Sequence, residues 1–248
     1  MRFSELDQLF ACPGFTSIER DITKEDEQFP NAQTSREWGT MVHTWKETGS
    51  IVHPSGDKRE EKLFGNRVWA KPGKEKINRF DYWPVESNHE VRVAYNWRDE
   101  YSVLDYAKDS EWYKRFDDDW IVGTIDTIWE EGSLVVIDDL KTGKWWNKTP
   151  TESYQVMGYG LGVQASGCAT TYTKLRVTHW PKYPAKSPPN VISEIIPTEH
   201  LYQLGKKIKD KMEQRGQVFN PSKDNCRFCP GRFNCMFAIP WEDDDDSI

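Results

Sequence analysis

The sequence predicts an α/β fold, and three observations carry that expectation. Residues 121–144, IVGTIDTIWEEGSLVVIDDLKTGK, form two β-branched apolar runs about a turn cluster with a glycine, the pattern of a β-hairpin. Alternating runs recur at residues 170–180 and 191–196. Stretches with apolar residues at helical spacing lie before, between and after these strands. At 248 residues the chain is long enough for one substantial core with additions.

In chain order, Ser4 and Asp7 resemble a capping box opening a short helix with Leu6, Leu9 and Phe10 as its apolar side, and Cys12-Pro13-Gly14 ends it. Residues 19–34 are polar and expected to form a loop. A helix is expected from Ser35, its N-cap, to Thr48, with Trp38, Met41, Val42 and Trp45 on one stripe. His43 lies one position off that stripe, with Gly39 and Thr40 one turn earlier leaving room beside its ring. Residues 54–84 show no ordered pattern. Glu90 to Trp97 reads as a strand with Val91, Val93 and Tyr95 on one face. His89-Glu90 begins like the zinc-protease motif H-E-x-x-H, but Val93 stands where the second histidine belongs. Residues 98–116 are expected to be an amphipathic helical insertion.

After the hairpin, residues 151–165 read as a helix with Gln155 and Tyr159 at i and i+4, hence on one face. Gly158, Gly160 and Gly162 weaken it and imply the close approach of another backbone. Thr198 to Arg215 is expected to be a helix, capped by Thr198, with a basic second half.

Within the hairpin, Asp126 projects with Val122 and Thr124, and Asp139 and Lys141 project with Val135 and Ile137. Carboxylates brought together on an apolar sheet repel unless a cation lies between them, and hard oxygen ligands suit Mg²⁺ or Mn²⁺. A lysine one pleat away can hold a phosphate oxygen or orient water, which outlines a phosphodiester-cleaving site. An ordinary Asp139–Lys141 ion pair fits the hairpin equally well. Asp138 falls on the face opposite Lys141 and takes second place to Asp139.

The net charge of -7 argues against a nucleic-acid partner until the run Glu242–Asp246 is set aside. Those five acids leave only -2 for the body, which has room for a basic groove. The tail itself reads as a solvated run, or as a partner-binding segment that mimics a phosphate backbone. No apolar run approaches bilayer length and the N-terminus lacks a signal-like stretch, so an intracellular, cytoplasmic protein is expected. No G-x-x-x-x-G-K-[ST] motif occurs, which argues against ATP use.

Of five cysteines, three form Cys226-x2-Cys229-x5-Cys235, a metal or redox pattern. Cys12, followed by proline as Cys229 is, is the preferred fourth ligand, and Cys168 reads as an apolar core residue. Four thiolates with only one C-x-x-C knuckle favour a 4Fe-4S cluster, with zinc as the alternative.

In order, the chain shows Cys12-Pro13, Gly39-x3-His43, Gly123-x2-Asp126, Asp139-x-Lys141, Gln155-x3-Tyr159 and the three-cysteine cluster. Together these resemble the RecB-like branch of the PD-(D/E)xK nucleases, particularly its iron-sulfur, CRISPR-associated and helicase-nuclease members. The resemblance implies a central mixed β-sheet flanked by helices, with an iron-sulfur lobe joining the two ends of the chain. The implied organisation is an N-terminal segment to residue 34, a nuclease core over 35–197, a helix and cluster lobe over 198–240, and the acidic tail. His43, Asp126, Asp139 and the Leu140 carbonyl would then bind the metal, with Glu90 as an accessory acid. Lys141 would activate water and stabilise the phosphorane, and Gln155 and Tyr159 would contact the DNA strand. The implied activity is a metal-dependent DNA nuclease acting on single strands or free ends. A non-cleaving DNA- or partner-binding module on the same fold is the alternative.

Overall fold

The structure is a computed structural model that describes residues 1–19, 32–68, 77–107, 111–143, 146–182, 189–227 and 229–239. Six strands form one mixed sheet: β1 (Asn88–Asn96), β2 (Tyr101–Asp105), β3 (Trp120–Glu131), β4 (Leu134–Lys141), β5 (Tyr172–His179) and β6 (Asn190–Pro197), in the order β2-β1-β3-β4-β5-β6. All neighbours are antiparallel except β4 and β5. A parallel pair needs a crossover, and the helix Tyr154–Ala165 supplies it.

The expected hairpin is β3–β4. Its ladder runs to Glu131↔Leu134, and Gly132 turns the chain at φ +63, a left-handed conformation that glycine adopts without steric cost. Among the described residues, the α-helices are α1 (Leu6–Ala11), α2 (Ala32–Thr48), α3 (Lys58–Val68), α4 (Tyr154–Ala165), α5 (Thr198–Glu213) and α6 (Lys223–Arg227).

One face of the sheet carries α1, α4 and α5 over a core that includes Val91, Val93, Tyr95 and Ile137. The other carries α2 and α3, whose Trp38, Trp45 and Phe64 pack on Val136, Leu140 and Trp180. The alternation along β4 divides its side chains between the two cores, so both faces are buried. The glycines of α4 do permit close approach. A Cβ on Gly162 would stand 2.5 Å from Val93 Cγ2, and one on Gly158 would stand 2.6 Å from Leu6 Cδ1.

Several local expectations are corrected. The described residues of 98–116 do not form a helical insertion. The Asn96 side chain accepts the N–H groups of Arg98 and Asp99, each at 3.0 Å, and this turn folds β2 back onto β1. A 3-10 turn, Trp112–Arg115, follows. Side-chain turn chemistry there outweighs the helical spacing.

At the N-terminus Ser4 is not the cap. The Arg2 N–H donates to Glu5 Oε2 at 2.8 Å and a 3-10 turn, Phe3–Glu5, precedes α1, because Phe3 is drawn fully into the core. Helix α2 begins at Ala32, ahead of Ser35. The expected loop over 19–34 falls mostly outside the described residues, as does the acidic tail. Thr198 does not cap α5. Its hydroxyl donates to the Thr170 carbonyl at 2.7 Å, and Pro197 occupies the cap position.

The two ends of the chain meet. The Gly14 N–H donates to Val218 O at 2.7 Å, and Gln8 Nε2 donates to Asn225 O at 3.2 Å. Among the described residues, no helix is long and apolar enough to cross a membrane.

Candidate active site

The site is built where β3 leaves its ladders. Pairing with β1 skips Glu90 and Asp126 between His89↔Thr127 and Val91↔Ile125, and pairing with β4 stops at Thr127↔Asp138. Glu90 itself has φ +55, a left-handed conformation that costs a non-glycine residue about 1–2 kcal/mol. Asp126 is held by other means. Its carbonyl accepts from Lys46 Nζ at 2.6 Å, and its Oδ2 accepts from the Leu140 N–H at 2.6 Å.

Helix α2 brings His43 over this break. Its Nδ1 lies 3.1 Å from Glu90 Oε1 and 3.8 Å from Asp126 Oδ1. Among the described residues, His43, Glu90 and Asp126 are the group whose ligand atoms all lie within 4.8 Å of one another. An imidazole with two carboxylates suits a divalent ion such as Mn²⁺ or Mg²⁺. Burial disfavours a charged His43, but Asp126 and the Glu90 hydrogen bond outweigh it and raise its pKa. Burial likewise opposes ionisation of Glu90, yet the bond to His43 and the charge of Lys46 bring its pKa below normal. Surroundings that favour a proton on His43 favour a divalent ion in its place.

A second string of groups adjoins Asp126. Lys141 Nζ lies 2.7 Å from Asp139 Oδ2 and donates to Gln155 Oε1 at 2.8 Å, and Gln155 Nε2 donates to the Tyr159 hydroxyl at 3.1 Å. Burial raises the pKa of Asp139, Lys141 opposes it and Asp126 adds to it. Tyr159 is only 4% exposed, and burial and the charge of Asp139 hold its hydroxyl well above the usual phenol range. Its hydroxyl therefore meets Gln155 and not the cleft. Gly39 does not make room for the His43 ring alone: a Cβ there would meet Thr142 Oγ1 at 3.0 Å.

Asp138 points to the other face. It accepts from Trp83 Nε1 at 2.5 Å, Arg176 Nε at 3.1 Å and the Thr178 hydroxyl at 2.8 Å. Full burial raises its pKa against these partners. Its hydrogen bonds are spent inside the protein.

An open cleft of about 800 Å³ reaches His43 and Glu90, with Arg36, Thr40, Arg92 and Tyr113 on its walls. Arg92 stacks 5.5 Å over the Tyr113 ring, and the Tyr113 hydroxyl bonds that of Thr124. Sequence reasoning missed Tyr113, which sat in the supposed helix, and Lys46. The signal for Lys46 was present: a lysine four residues after Val42, on the buried stripe of α2.

Cys12, Cys226, Cys229 and Cys235 line one small enclosed cavity between the ends of the chain, while Cys168 packs elsewhere against the core. Burial raises the Cys229 thiol pKa, a backbone bond from Gly231 opposes this, and the other three thiols add to it. The Asn220 N–H donates to Cys12 Sγ at 3.2 Å. No three of these sulfurs lie within 4.8 Å of one another.

Among curated proteins none matches this chain in sequence. A solved crystal structure, that of SSO0001, is similar over 95% of this chain and 86% of its own, at 12% identity and a TM-score of 0.41. A family model for the PD-(D/E)XK nuclease superfamily matches residues 3–236. With that match across the sheet and the site, the chain belongs to the PD-(D/E)XK nuclease superfamily.

Proposed function

We propose that the protein is a metal-dependent DNA nuclease of the RecB-like branch, cutting single strands or free ends. One observation carries this reading: His43, Glu90 and Asp126 converge at a break in the sheet, with His43 and Glu90 on an open cleft and the Asp139–Lys141 pair near Asp126. Asp138, by contrast, turns to the other face and is engaged by Trp83, Arg176 and Thr178.

A divalent ion held by these groups, with Asp139 beside them, supplies activation of water and neutralises phosphate charge. The chain's residues do the rest. His43 and Asp126 fix the position of the scissile phosphate relative to the sheet. Lys141, steadied by Gln155, presents its ammonium to the phosphate oxygens or to the attacking water. Water adds to phosphorus and gives up a proton to solvent, the ester P–O bond breaks, and the leaving oxygen takes a proton from solvent in return. Arg36, Arg92 and the Tyr113 ring line the approach with the charge and aromatic surface that suit a flexible strand.

The cysteine lobe is proposed to hold a 4Fe-4S cluster. Tetrahedral zinc with bonds of about 2.3 Å needs sulfurs about 3.8 Å apart. The single C-x-x-C knuckle and the shared cavity lined by all four thiols support a cluster. Iron and sulfide content of anaerobically purified protein tests this, and zinc in their place would refute it. Recombination, repair or CRISPR-type processing is the setting that the likeness suggests, and the acidic run 242–246 is proposed to engage a protein partner.

The activity is tested with end-labelled single- and double-stranded DNA and Mn²⁺ or Mg²⁺, beside Asp139→Ala. Cutting by the wild type that disappears in the variant is expected, and the product ladder gives polarity. DNA binding without cutting by either protein would favour the binding module instead.

A further inference from the structure

Among the described residues, Lys46 is the only buried lysine, at 1% exposure. It lies on the stripe of α2 that otherwise packs Val42 and Trp45 into the core, where a leucine would continue the pattern. An ammonium in such a place is costly, so its position demands a compensating role. Its ammonium donates to the carbonyl of Asp126 at 2.6 Å, at the residue where β3 has no ladder partner. Two further contacts fix the helix end that bears it: Arg79 Nη1 donates to the carbonyls of Trp45 at 3.3 Å and Lys46 at 3.0 Å. The ammonium also acts electrostatically on His43, Glu90 and Asp138.

We propose that Lys46 is a positioning residue, a resident cation that holds Glu90 and Asp126 together before a divalent ion arrives and thereby lowers the site's affinity for that ion. The inference rests on the metal-dependent reading of the site. Four carboxylates, Glu90, Asp126, Asp138 and Asp139, gather at this end of the sheet, and without the ion Lys46, Lys141, Arg176 and a protonated His43 offset them. Lys141 and Arg176 are each committed to one aspartate. Lys46 instead binds the Asp126 backbone and acts by charge on His43 and Glu90. A divalent ion entering above it meets a like charge, so the preformed cage is gained at the expense of ion affinity.

The test compares wild type, Lys46→Gln and Lys46→Arg in full-length protein. Glutamine keeps a donor for the carbonyl and removes the charge; arginine keeps the charge. Mn²⁺ affinity is read by calorimetry, and melting temperature is read with chelator and with Mn²⁺. Lys46→Gln is expected to melt lower without metal, to bind Mn²⁺ about tenfold more tightly and to show a larger Mn²⁺-induced rise in melting temperature. Lys46→Arg should bind within about twofold of wild type. A lysine with a merely structural role would lower the melting temperature of Lys46→Gln and leave Mn²⁺ affinity unchanged, which would overturn the proposal, as would weaker binding. If Lys46→Gln folds only with metal, Mn²⁺-dependent recovery of folded protein supports the proposal and failure to recover overturns it. Absence of Mn²⁺ binding by the wild type would remove the metal reading and this inference with it.

Discussion

Three adjacent acids show how environment, rather than residue type, assigns roles. Asp138 has Trp83, Arg176 and Thr178 around it, so Asp138→Asn leaves a buried guanidinium without its counter-charge. That substitution is expected to cost about 3–5 kcal/mol in urea unfolding while Mn²⁺ binding persists. Asp139→Asn should do the reverse, keeping the fold and losing cleavage. Glu90 adds a case of strain. Glycine at its φ of +55 is relaxed and alanine is not, so Glu90→Gly should unfold about 1 kcal/mol later than Glu90→Ala. Both should weaken Mn²⁺ binding about tenfold or more in calorimetry, since both delete a carboxylate of the ligand group. Tyr159→Phe removes the acceptor of Gln155 Nε2 without touching the cleft. A fall in kcat of about tenfold with little change in KM is expected from steady-state cleavage.

At the scale of elements, α4 fixes the second half of the site. It carries Gln155 and Tyr159 on the face turned to β4, and it can lie that close because its glycines bring its backbone onto β1 and the N-terminal segment. Gly162→Ala places a methyl 2.5 Å from a Val93 methyl that is itself buried. A loss of about 1–3 kcal/mol is expected, and Val93→Ala in the same chain should restore part of it. A double-mutant cycle by urea unfolding measures the coupling, and strict additivity would mean that α4 is not seated on β1 as described.

For the whole molecule, the joining of the chain's ends matters most. α1 packs under α4, and its following turn is bonded to residues 216–220, with Cys12 lying at that seam beside three distant cysteines. The proposed cluster would close almost the entire chain into one loop. Chelation or oxidation of the proposed cluster is expected to raise hydrogen exchange in α1 and in residues 223–239 while β3 and β4 stay protected. Exchange unchanged everywhere would mean that the ends hold without it.

The sequence by itself determined the hairpin, the helix stripes and the residue types of the site. These follow from period and spacing, which are local: Gly132 turns the chain, Trp38 to Trp45 face one side, and Asp139 and Lys141 share a strand face whatever surrounds them. It also put forward Asp126 and the four cysteines that line one cavity, while His43 entered only with the family resemblance. Tertiary structure alone decided the rest. Residues 98–116 became a strand and a turn because the Asn96 side chain captured two backbone donors and an open sheet edge lay within reach. Glu90 rose from accessory to ligand candidate because the ladder skips it and its φ swings the carboxylate toward His43. Lys46 gained its place because a carbonyl set free in β3 lies beneath α2. Such contacts link residues 34 to 80 positions apart through the packing of a helix on a sheet, and no local pattern encodes that distance.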